Sequence, residues 1–403
     1  MKKRIWVFLM VILILFAVPS LALAEPENGS ESEGGATGDA EIMAELLEQI
    51  GEYDINQWQA YPDASSGGRQ LLPLPVREMI LRYASGQASD DPLNVFSYLL
   101  DAFTGSVKEH ARITISIFAT AVLGGIVQAL YANKSGSKLK EILLIICFSL
   151  SITVIIGEFS LIAAEARNAI DKCGSFVDAS LPALTAMLTA VGNVSAGGVY
   201  RPLMGMLTNT VIVVMRSVVL PIVLCGGVVG VLNHLTERVH LSNMFTLSKT
   251  AAKWIIGIMS TVFFSITAIQ GMVASTYDSV SIRTAKYTID KAVPIVGGMI
   301  SGTIDTVLGC GILLKNAAGI TAILIVASII AAPLMRIAGL IFTCRITAAI
   351  CEPVTDKRLA KMLSCIAEVS TYLFAAVAAV GAMFAITVGL IVATGNASLM
   401  AGG

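Results

Sequence analysis

From residue 111 to residue 394, uninterrupted apolar runs alternate with short polar connectors. Six runs are long enough to cross about 30 Å of hydrocarbon: residues 111–131, 142–164, 203–232, 254–274, 317–344 and 366–394. None shows the two-residue alternation of a half-buried strand, so the pattern predicts an all-α, polytopic membrane domain over 111–403. Two shorter stretches studded with glycine, 182–199 and 294–314, lie between the runs. If they re-enter the membrane the chain has six spans; if they cross it, eight. Lys and Arg are in excess on the cytoplasmic side under either topology, so loop charge leaves both open.

The prolines carry a periodicity. Pro182 and Pro294 are 112 positions apart, as are Pro221 and Pro333, and of the prolines between Ile142 and Arg345 only Pro202 is left over. The same offset pairs Asp178 with Asp290, Met187 with Met299 and Gly197 with Gly309. We read two repeat units, about 142–253 and 254–365, each a long helix, an interrupted segment and a second helix. The four paired prolines are the expected helix breaks. Paired interruptions mark a path or binding site, because broken backbone is tolerated at membrane depth only where it lines protein or water.

The first 110 residues differ. Lys2, Lys3 and Arg4, an apolar stretch and Ala22-Leu23-Ala24 read as a signal peptide over 1–24. Residues 25–40 are acidic, rich in Gly and Ser, and predict a disordered tether. Residues 41–110 hold amphipathic helical patterns broken by Pro62, Pro73 and Pro75. They predict a small exported helical region that docks on a partner or on the membrane surface.

Composition sharpens the class. Of 403 residues, 55% are hydrophobic and 14% charged, against about 25% charged in soluble domains, and mean hydropathy is +0.79. The net charge of −1 gives no reason to expect nucleic acid as a partner. The seven cysteines form no C-x-x-C pair, and the three histidines are scattered, so neither a disulfide framework nor a metal site is expected. There is no phosphate-binding G-x-x-x-x-G-K-[ST], no catalytic arrangement and no cofactor motif.

Ionisable groups inside apolar runs are costly and therefore informative. Glu158, Arg216, Asp305 and Arg336 qualify. Arg216 lies mid-run, and Glu158 or Asp305 is its expected partner, either as a structural ion pair or lining a polar path. Arg336 lies nearer the cytoplasmic end, where it can snorkel to the headgroups. Asn193, in the first interrupted stretch, is a further path-lining candidate. Arg283 and Lys286, three apart on one helix face, mark either an interfacial helix or a partner surface.

The run Ser281-Ile282-Arg283-Thr284-Ala285-Lys286-Tyr287 closely resembles a stretch of the stage III sporulation protein AE family of endospore-forming bacteria. So do Val293-Pro294-Ile295-Val296-Gly297-Gly298-Met299, Asp305-Thr306-Val307, Leu314-Lys315-Asn316 with Gly319, Ala378-Ala379-Val380-Gly381 and Ala393-Thr394-Gly395-Asn396. The resemblance is densest over 180–396. It implies a non-enzymatic, polytopic component of the channel linking mother cell and forespore, in the mother-cell membrane. Its implied partners are a separate secretion-type ATPase and ring-forming membrane proteins. It implies no catalytic residues. A self-contained secondary transporter and a purely structural scaffold are the alternatives.

Overall fold

The computed structural model describes residues 55–63, 74–85, 92–130, 138–191, 194–235, 241–292, 297–353 and 357–400. The signal peptide, the acidic tether, the helical pattern near residue 46, Asn193 and Pro294 lie outside the described residues. So do the side chains of Arg283, Lys286 and Asp305, whose backbone is helical.

Among the described residues there is no strand. A 3-10 turn, Ile55–Gln59, leads into α1 (Ala60–Asp63), followed by α2 (Val76–Ala84), α3 (Pro92–Leu130) and α4 (Lys138–Ala190). Then come α5 (Val194–Val214), a π turn (Met215–Val219), α6 (Leu220–Leu235), α7 (Ser242–Ala292), α8 (Gly297–Cys351) and α9 (Lys357–Met400). Among the described residues six stretches are long and apolar enough to cross a membrane: Ser97–Val127, Ile145–Ala190, Pro202–His234, Ser242–Gln270, Gly309–Cys351 and Arg358–Ala393. The chain is an all-α, multi-pass membrane protein.

Among the described residues, neither interrupted stretch forms a separate apolar helix. Residues 182–190 are the last turns of α4, and α5 starts at Val194. Gly297 opens α8, which continues through residue 314. Pro182 and Pro333 sit inside unbroken helices of 53 and 55 residues. Each removes one N–H and frees one carbonyl without stopping the helix, as neighbouring helices allow. Pro221 is the second residue after the π turn.

The antiparallel pair α8–α9 forms the core. Both helices are apolar nearly all round, which suits burial on every side. Small residues bring them together: a Cβ at Gly319 would overlap Val392, and one at Gly381 would overlap Ile330. The other helices wrap this pair. α3 packs on α4 and α8, whereas α7 packs on α5, α6, α8 and α9. Trp254, Ile258, Val262 and Ile269 of α7 stand exposed, as a lipid-facing stripe does.

The N-terminal helices dock on the chain's own bundle. Trp58 is fully buried and meets the Phe176 ring of α4 edge-on, with centroids 5.8 Å apart. Tyr61 Oη donates to the Ser175 carbonyl over 3.1 Å. Val76, Met79, Ile80 and Ala84 form the buried face of α2, which packs on α8.

The apolar runs are not level. Ile330 faces Gly381 and Gly319 faces Val392, so Glu368 of α9 stands about opposite Thr343 of α8. Lys249 of α7 pairs with Glu368. Gly339 faces His110, and Thr347 Oγ1 donates to Thr114 Oγ1. Lys249 and His110 therefore share one level. From it the apolar run of α7 extends one way and that of α3 the other. α4 follows α3: Thr120 and Ser151 hydroxyls meet at 2.8 Å, and His110 meets Glu158.

Candidate functional site: a charged face level with an apolar belt

The offset sets charged halves of α3 and α4 beside the apolar run of the other helices. After residue 164, α4 becomes amphipathic. Ala166, Ala169, Ile170, Cys173, Phe176 and Val177 are buried, at the spacing of one helix face. Arg167, Asn168 and Ser175 are exposed, and Glu165, Asp171 and Lys172 are half-buried. The first half of α3 adds exposed Asp101, Lys108 and Glu109. Ile258 and Val262 of α7 stand exposed at the same depth but on the other side. The bundle is charged on one flank and apolar on the other.

Two ion pairs tie this flank to the core. Arg216, inside the π turn, lies 3.6 Å from Asp171, with the two side chains 48% and 34% exposed. π turns inside helices recur at functional sites, where they re-aim a side chain. Arg336 of α8 pairs with Glu165 of α4, so it is held across the bundle rather than reaching for headgroups. Both pairs open toward the flank.

Glu158 does not reach Arg216. It faces the buried His110, with His110 Nδ1 2.9 Å from Glu158 Oε1, though without hydrogen-bond alignment. Gly339 makes room for this contact: a Cβ there would lie 2.9 Å from Ser106 Cβ and 3.4 Å from His110 Cδ2. The register brings Asp171 to Arg216 because α4's polar half, not its apolar run, adjoins the π turn. Asp171 escaped the sequence reading because only charges inside apolar runs were considered.

Lys315 is the second residue that reading missed. Lying in sequence between the 294–314 stretch and the 317–344 run, it is fully buried in α8, and its Nζ donates to the Val392 carbonyl of α9 over 2.8 Å. A signal was present: Leu313, Leu314, Ala317 and Ala318 flank it, so a single charge interrupts one apolar run. No cluster of His, Cys, Asp and Glu able to hold a metal occurs among the described residues. The flank offers water and ions a surface of mixed sign, and nothing in it resembles a nucleophile with its base.

A family model described as stage III sporulation protein AE matches residues 74–395. A curated relative, Stage III sporulation protein AE of Bacillus subtilis (strain 168), is 25% identical over 404 residues, covering 99% of this chain and 100% of its own. No solved structure matches.

Proposed function

This chain belongs to the stage III sporulation protein AE family, and from that premise we propose that it is a non-enzymatic membrane subunit of a channel between mother cell and forespore. Its part in sporulation and its multi-pass character follow from the family and from the six apolar helices. The observation that carries the channel reading is the charged flank at the depth of an apolar belt. Charged groups exposed to hydrocarbon cost at least about 2.5–3.5 kcal/mol each on insertion scales. Glu165, Arg167, Asp171, Lys172 and Arg216 on one flank are therefore best accommodated by water in a passage.

The same reading places the lysine-rich ends of the helices in the cytoplasm of the mother cell and the docked N-terminal helices outside it, as charge bias favours. Lys138, Lys249, Lys253, Arg345, Arg358 and Lys361 all lie toward those ends. The family resemblance implies a secretion-type ATPase and ring-forming membrane proteins as its partners, and the chain carries no nucleotide-binding motif of its own. A self-contained transporter is the second reading, favoured by the buried Lys315 and the His110–Glu158 contact. Flux through liposomes holding this chain alone would support it.

The test is water access. A cysteine at Asn168, on the charged flank, reacts with a membrane-impermeant thiol reagent in sporulating cells, whereas one at Ile258 stays protected. Protection at both positions would remove the case for a passage.

A further inference from the structure

The offset leaves a second apolar surface with no place in the bilayer that bathes α7. Beyond the level of Lys249, α6 to α9 end within a few turns, yet α3 runs on to Leu130 and α4 starts at Lys138. Thr114 is level with Thr347, four residues from the end of α8. At about 1.5 Å per residue, the α3–α4 arms project roughly 15–20 Å past the rest of the bundle. On these arms Leu123, Ile126, Leu130, Ile142, Ile146 and Leu150 are each about half exposed or more.

Lipid cannot cover both surfaces. A flat bilayer set on the α7 stripe, which runs on through exposed Leu247 and Met244, has its boundary near Ser242, where that apolar stretch begins, and the outer turns of the arms then stand outside it. A bilayer moved onto the arms strands the exposed face of α7 in water. The α7 stripe continues onto exposed Val213, Val228 and Leu232 of α5 and α6, whereas the arms stand alone, so the arms are the surface that protein must cover.

We propose that the projecting α3–α4 arms pack against the same arms of neighbouring copies of this chain. The area fits: with about 100 Å² exposed on each of these six aliphatics, the arms offer on the order of 600 Å², against about 800 Å² per partner in a standard interface. The placement fits too, because the arms continue the helices that carry the charged flank. A symmetry axis along the membrane normal that brings the arms together also turns every charged flank inward. Only this second point rests on the proposed passage; the contact between arms stands without it.

The test is cross-linking of the full chain in membranes. Ile126→Cys and Ile146→Cys are made separately with Cys147→Ser and Cys225→Ser, which remove the two native thiols that are not buried. Copper-phenanthroline oxidation is expected to shift both variants to twice the chain mass, while Ile258→Cys in the same background stays at the single-chain mass. Single-chain bands at 126 and 146 overturn the proposal, as does linkage only to a different polypeptide or equal linkage at 258. Cross-linked arms with an unreactive cysteine at Asn168 would overturn the passage and leave this contact standing. A reactive Asn168 cysteine with unlinked arms would do the reverse.

Discussion

The contact between Gly319 and Val392 sets two opposing effects against each other. Replacing a helix-interior glycine by alanine ordinarily stabilises a helix by about 0.8–1.0 kcal/mol. At Gly319 the added Cβ overlaps Val392 Cγ2 and comes within 3.4 Å of Val392 Cβ. Valine in a helix is confined largely to one side-chain rotamer, so it cannot swing clear. Overpacking of this kind costs about 1–3 kcal/mol. The helices must also part where Lys315 donates to the Val392 carbonyl. Overpacking wins, and Gly319→Ala is expected to destabilise the chain by up to about 2 kcal/mol after the propensity gain is subtracted. Gly257→Ala has nothing within 4 Å of its new methyl and is the control: neutral or stabilised. Equilibrium unfolding of the purified chain in bicelles measures both, and Val392→Ala should rescue Gly319→Ala by removing the methyl it strikes. If Gly319→Ala behaves like Gly257→Ala, the close approach of α8 and α9 is not as described.

Four other outcomes are expected. Arg216→Leu leaves Asp171 without its partner and lowers protein level and the yield of heat-resistant spores; adding Asp171→Asn restores level, by immunoblot, better than spore yield. Normal level and yield in the single variant would refute a role for the pair. Gly339→Ala drives a methyl into Ser106 and His110 and costs about 1–3 kcal/mol, whereas Gly157→Ala, with open space around it, does not; thermal unfolding in detergent separates them. Trp58→Ala removes the ring buried against Phe176 and, at about 3–5 kcal/mol for such a truncation, frees the N-terminal helices to limited proteolysis without unfolding α4. Reporter fusions at Ser242 and at Glu352 both report cytoplasm, and opposite sides for the two would break the six-helix topology.

The class and the number of long helices were legible because each apolar run satisfies the length of a bilayer within its own sequence. Register was not, because it is set by contacts between runs. Nothing near Ala111 or Trp254 says that their runs point opposite ways from a shared level. The same gap hid the partner of Arg216: Asp171 lies seven residues past the end of its own apolar run and looks like a loop residue until α4 is seen to continue to Ala190. Pro182 and Pro333 misled as expected breaks, since a proline in a packed membrane helix costs one hydrogen bond and leaves the rest of the ladder intact.

The burial of α8 and α9 bears on how the molecule is made. They follow every other described helix in the chain, yet they occupy the centre of the bundle. Every helix synthesised earlier therefore waits in the membrane without the surface it will finally cover, with lipid or an insertion factor standing in for the missing pair. The entry of this Ala- and Gly-rich hairpin then displaces those lipids. Lys315 enters with it and reaches the Val392 carbonyl only once α9 has followed. A ribosome stalled before residue 357 would leave an open-sided assembly with the Lys315 ammonium unsheltered by α9.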